Sequence, residues 1–177
     1  MTRYGRQNLD AEAAKIAENA EEKLYSFIGK YVISFQWLEG ILDQIYSLGD
    51  DLREKADVDA ELATLSFSRK SIAVRKLILT GDAFAGGGTI EGWKQRIEDF
   101  FRRLDEERER RNAIMHSQYL FDFLAIGQPL LRARRQRGNK ERYSYEDMSI
   151  ENIDRILQEM AELCWEANLI YTQCLHL

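Results

Sequence analysis

Apolar residues recur every three or four positions from about Asp10 to Leu48, at Leu24, Phe27, Ile28, Tyr31, Phe35, Leu38, Leu42 and Ile45. A stripe of that period is one face of an α-helix, so this stretch predicts a single long helix or two in line, ended by Gly49-Asp50-Asp51. Gly29 and Gly40 interrupt the stripe, and each either lets another helix approach closely or costs about 1 kcal/mol against Ala. So long a stripe must be covered, and the remaining sequence supplies helices to cover it. One is expected over about Asp59–Thr80, with Leu62, Leu65, Ile72, Leu77 and Leu79 inward, and another from about Ile90 through Tyr119 behind a Thr89 N-cap. The last begins after Ser149 and carries Ile153, Leu157, Met160, Cys164, Ala167, Tyr171 and Cys174, spaced alternately by four and three, which is a seam for antiparallel packing.

Gly81 to Gly88 reads as a flexible connection: no Gly-Lys-Ser/Thr follows the three glycines and no strand precedes them, so a phosphate cradle is disfavoured. The period changes after Tyr119. Gln118–Leu124, Leu130–Arg135 and Glu141–Tyr145 are short aromatic or alternating runs around Gly127-Gln128-Pro129 and Gly138-Asn139, which predict a small β-hairpin or ordered loop. The expected fold is all-α, an antiparallel bundle of four to five helices with that insertion before the last helix, in one domain over residues 1–177.

Composition narrows the class. At 45% hydrophobic and 31% charged, the chain is that of an ordinary globular protein. No apolar run reaches the ~18 residues that span a bilayer, and the N-terminal MTRYGRQNLD lacks a secretory apolar core, so a cytoplasmic protein with no membrane partner is expected. Cys164 and Cys174 fall on one predicted helix, about 15 Å apart along its axis, too far for a disulfide. A net charge of −5 gives no global attraction to nucleic acid, so RNA binding requires a local basic patch.

Chemistry concentrates at Glu109-Arg110-Arg111-Asn112-Ala113-Ile114-Met115-His116-Ser117-Gln118-Tyr119, which holds one of the two histidines. With Arg111 at zero angle and about 100° per residue, Ile97, Phe100, Phe101, Leu104 and Met115 fall in an arc from about −20° to +80°. Arg108 and Arg111 fall in the same arc, where the pattern calls for apolar residues. An unpartnered buried guanidinium costs several kcal/mol, so the stripe is expected to open there into a cleft, a subunit seam or an anion site. His116 lies about 140° from Arg111, with Asn112 one turn before it and Asp105 and Glu109 on its flank. These residue types suit RNA cleavage without metal: histidine can act as base or acid near neutral pH, and an arginine fork can hold the charge of a phosphorane-like transition state. No HxxxH, CxxC or clustered acidic motif points to a metal site, and no cofactor is expected.

The R-N-x-x-x-H arrangement of Arg111, Asn112 and His116 resembles the Arg-x4-6-His motif of HEPN domains, all-helical proteins many of which are metal-independent ribonucleases. The stretch LSFSRKSIAVRKLI resembles an apolar-Phe-x-x-Lys segment of some bacterial members. The resemblance implies that Arg111 and His116 form the catalytic pair and that Asn112 assists. It also implies a composite site in a homodimer, a cyclic phosphate product, and a toxin or anti-phage setting with an antitoxin or regulatory protein as partner. One subgroup carries a regulated tyrosine two residues after the histidine; here that place is Gln118, and Tyr119 stands one later. Arg132, Arg134, Arg135, Arg137, Lys140 and Arg142, against the lone acid Glu141, form the candidate phosphate-tracking surface, with Arg108 and Tyr119 as further RNA contacts and Tyr143 or Tyr145 available for stacking.

Two other readings compete with a nuclease. One is a catalytically silent HEPN domain that binds RNA or nucleotide or serves as a dimeric partner. The other is a helical bundle whose arginines make only intersubunit salt bridges, since charge runs such as Asp105 to Arg111 are most often solvated faces.

Overall fold

A computed structural model describes residues 11–50, 53–126, 128–135 and 143–177. It contains α1 (Ala11–Gly49), α2 (Lys55–Thr64), α3 (Phe67–Thr80), a 3-10 segment (Asp82–Thr89), α4 (Trp93–His116), β1 (Gln118–Leu120), a second 3-10 segment (Phe121–Ile126), β2 (Leu131–Arg135), β3 (Tyr143–Asp147) and α5 (Ile150–Cys174). The fold is helical with a small sheet before the last helix, as the periodicity predicts. Among the described residues no helix is long and apolar enough to cross a membrane.

Local chemistry explains where the expected boundaries shift. The single helix expected over Asp59–Thr80 is two, because Ser66 leaves helical geometry (ψ 155°) and its hydroxyl accepts from the Arg69 amide, capping α3 afresh. Thr89 does not cap α4: its hydroxyl donates to the Gly86 carbonyl, and α4 starts only after Gly92, whose φ of 71° suits glycine. The Gly81–Gly88 connection is wound into a 3-10 segment, and a Cβ on Gly87 would lie 2.4 Å from Trp93 Nε1. Ser149 caps α5 as expected, accepting from the Asn152 amide at 3.4 Å.

The chain groups into two compact units, Met1–Val32 with Arg110–Glu159, and Ile33–Glu109 with Met160–Leu177. In the second unit α4 and α5 run antiparallel: Arg96 donates to Gln173 at 2.8 Å, and Arg103, seven residues on, donates to Glu166, seven residues back, at 2.5 Å. Lys70 of α3 is buried against α1, its Nζ 3.0 Å from both Glu39 and Asp43. Burial would lower its pKa, yet the two carboxylates hold it above the usual lysine value. A cavity of about 850 Å³ bounded by the glycine-rich turn and Trp93 contains none of the motif residues.

The buried residues of α5 are Ile156, Met160, Leu163, Ala167, Ile170 and Cys174, whereas Ile153, Leu157, Cys164 and Tyr171 are half-buried flanks. The expected seam thus holds at Met160, Ala167 and Cys174 and turns towards the other flank between them. In α1, Ala17, Leu24, Tyr31, Leu38 and Ile45 are buried at seven-residue intervals. Gly29 and Gly40 have open space where a Cβ would stand, so neither serves a close helix approach. Both cysteines are free, and burial pushes their thiols up to about 11.

Candidate functional site

On α4 the buried residues Trp93, Ile97, Phe100 and Leu104 are spaced four, three and four. The same alternation continues through Glu107, Arg111 and Ile114. Glu107 is 5% exposed, Arg111 is half-buried and Ile114 is buried. A stripe that repeats every 3.5 residues drifts by about 20° per seven residues relative to a regular helix. That drift corrects the angular prediction at the C-terminal end: Met115, expected on the apolar arc, is 44% exposed, and Ile114 takes its place. Arg111 remains on the seam. Glu107 was missed by the sequence reading, although its place four residues before Arg111 in the four-three alternation carries the signal.

Arg108 is a flank residue. Its Nε donates to Asp105 at 2.9 Å and its Nη2 lies 2.8 Å from Glu109, so these carboxylates, expected beside His116, form a clamp around a guanidinium of their own helix. Arg111 Nη1 donates to the Asn112 side-chain oxygen at 3.4 Å. His116 is the last residue of α4 and is exposed. Five residues of regular helix separate Arg111 from His116 by about 140° and about 7.5 Å of rise, so one chain directs the first to its seam and the second to solvent.

The turn that carries His116 is fixed from behind. A helix leaves its last four carbonyls without intrahelical partners. Here the Ser117 hydroxyl donates to the Ala113 carbonyl, and the Tyr119 hydroxyl donates to the Ile114 carbonyl at 2.9 Å. Burial raises the pKa of Tyr119, opposed by the Arg132 guanidinium and reinforced by Glu146, so the phenol stays a donor well past neutrality.

β1, β2 and β3 form an antiparallel sheet in that order, with Tyr119 opposite Arg132 and Arg132 opposite Glu146. This cross-strand row engages two of the residues expected to contact RNA. Arg132 is only 7% exposed and forms an ion pair with Glu146, and Tyr119 is half-buried and spends its hydroxyl on α4. The pair is extended by polar contacts: Asn152 donates to Glu146 at 3.4 Å, Arg155 donates to Asn152 and Glu159, and Arg110 reaches Glu159 at 2.8 Å. Burial would raise the pKa of Glu159, but Arg155 and Arg110 outweigh it and hold the carboxyl low. Arg134 is exposed, and the side chain of Arg135, with Arg137, Lys140 and Arg142, lies outside the described residues.

The structure therefore brings Arg111 to Asn112 and Tyr119 to Arg132, and sets His116 apart on the solvent side. Among the described residues no three His, Cys, Asp or Glu side chains cluster as a metal site requires. No family model, curated protein or solved structure matches the chain.

Proposed function

We propose that the protein is a metal-independent endoribonuclease of the HEPN type, active as a homodimer, with Arg111 and His116 as the catalytic pair. The observation that carries this reading is a cation held at an apolar seam position, hydrogen-bonded to the Asn112 side chain, five residues before an exposed histidine at the end of the same helix. A half-buried arginine costs stability that an aliphatic residue would not, and transition-state charge is one use that offsets it.

Because the two side chains leave one helix on different sides, the pocket requires a second copy that sets its His116 against this Arg111. Two copies supply two histidines. One imidazole takes the proton of a ribose 2′-OH as that oxygen bonds to phosphorus. An imidazolium gives a proton to the departing 5′-oxygen, leaving a 2′,3′-cyclic phosphate and a 5′-hydroxyl. Arg111 holds the extra charge on the phosphorane oxygens. A toxin or anti-phage role, restrained by an antitoxin or regulatory protein, fits such an activity. The test is RNA digestion in EDTA by wild type, Arg111→Ala and His116→Ala. Wild type leaves cyclic phosphate ends and each variant loses at least about a hundredfold in rate; equal cleavage by all three overturns the assignment.

The clamp of Arg108 by Asp105 and Glu109 favours a second reading, a silent HEPN domain that binds RNA or a protein partner, since it neutralises one cation within the chain. Under it, wild type binds RNA in a salt-dependent manner and leaves it whole.

A further inference from the structure

The cavity beside the glycine-rich turn lies wholly within the second unit, between the last turn of α3 and the first turn of α4. The two helices present opposite ends to it. Ile78, Leu79 and Thr80 close α3, where backbone carbonyls lack intrahelical partners, and Trp93, Lys94 and Gln95 open α4, where amides do. Such ends carry partial charge, negative at the carbonyls and positive at the amides. Side chains reinforce both signs. Asp82 follows α3 by two residues and Lys94 stands on α4, and among the described residues neither has an ion-pair partner. The third charged group of the wall, Glu98, is paired with Arg75.

The ring of Trp93 is an independent observation. It is 4% exposed, and its indole N–H is buried with no acceptor. A buried donor left unpaired costs stability that the fold does not recover. The pyrrole edge that bears it abuts Gly87, and both residues line the cavity, so what stands beside the donor is glycine backbone rather than a side chain.

We propose that this cavity binds a small zwitterion with an apolar body, as in an apolar amino acid or a dipeptide, its carboxylate at the start of α4 and its ammonium at the end of α3. The Trp93 and Arg96 amides are taken by the Ile90 and Gly92 carbonyls, which leaves those of Lys94 and Gln95 for the carboxylate, with the Lys94 ammonium beside them. A small shift of the Gly87 backbone adds the Trp93 N–H. Asp82 and the last α3 carbonyls receive the ammonium, and Phe84 and Ile90 give the body apolar surface. A ligand of one charge satisfies one end only. At about 850 Å³ the space is that of a small-molecule site. It holds none of Arg111, Asn112 and His116, so the inference stands or falls apart from the nuclease reading.

The test is titration of the isotope-labelled full-length protein with L-phenylalanine and with L-leucyl-L-phenylalanine, read at the three tryptophan indole N–H resonances. Trp37 and Trp165 are exposed and serve as internal controls, assigned through Trp37→Phe and Trp165→Phe. The Trp93 resonance moves saturably while the other two stay in place. Hydrocinnamate, which lacks the ammonium, and phenethylamine, which lacks the carboxylate, bind at least about tenfold more weakly. Lys94→Gln and Asp82→Asn change exposed side chains and keep the folded amide spectrum; each weakens the zwitterion by a similar factor, and Asp82→Asn leaves hydrocinnamate binding unchanged. A Trp93 resonance that stays in place up to the solubility limit of both ligands, single-charge analogues that bind as well as the zwitterion, or charge variants that bind as the parent does overturn the proposal.

Discussion

The two ends of α4 follow one spacing and bury different chemistry. From Trp93 to Leu104 every seam position is apolar and buried; from Glu107 onward the positions are a buried carboxylate, a half-buried guanidinium and Ile114. An apolar seam stabilises in proportion to the area it removes from water, whereas a charged seam recovers at best the desolvation it costs. The first half of the helix is accounted for by folding. The second carries charge at two of its three seam positions, and that contrast makes Arg111 the place to ask whether the helix serves function as well as stability.

Truncation tests the contrast most severely. Leu104→Ala is expected to destabilise by about 2–5 kcal/mol, read from the urea midpoint, because the site is fully buried. Replacing both Glu107 and Arg111 with Leu should leave stability unchanged or raise it by about 1–4 kcal/mol while abolishing RNA cleavage. If that double variant instead falls as far as Leu104→Ala, the charged half is structural and the comparison collapses. Gly29→Ala and Gly40→Ala, on open parts of α1, are each expected to stabilise by about 0.5–1 kcal/mol. They separate helix propensity from seam burial, and a loss in either would point to a covering contact.

The smallest effect is one of pH. Burial raises Cys164 to about 11, and Glu107 adds to it, while Cys174 is raised by burial alone. Each thiol is protonated in the fold at a pH where it ionises in the unfolded chain. Its contribution is therefore complete below the ordinary value of 9.0 and is lost as pH rises towards about 11. A thiol reagent at pH 8 should react slowly with folded protein and quickly in urea. Glu107→Gln should move the alkaline reactivity profile of Cys164 down and leave that of Cys174 in place; equal movement of both would show a general loosening rather than the loss of one charge.

Much of the fold was legible because helical periodicity is local. The stripe of α1, the stop at Gly49 and the cap at Ser149 depend on residues within a turn or two of each other, and each stands where the spacing puts it. The break at Ser66 was not read from the sequence, because apolar residues on both sides keep a helical period across it. At the candidate site the arginine at a seam position was also legible, from spacing alone.

What the chain order could not carry is which flank a partner covers. Ile114 rather than Met115 lies inside because the buried stripe of α4 repeats every 3.5 residues, a drift that depends on the helices packed against it. Arg132 looked like the start of a phosphate-binding run and is instead buried, because strand pairing sets Glu146 opposite it from fourteen residues away. The sequence by itself determined where the helices run and that charge enters the seam of α4. Tertiary structure decided which charges are neutralised from within and which face water, since burial depends on neighbours distant along the chain.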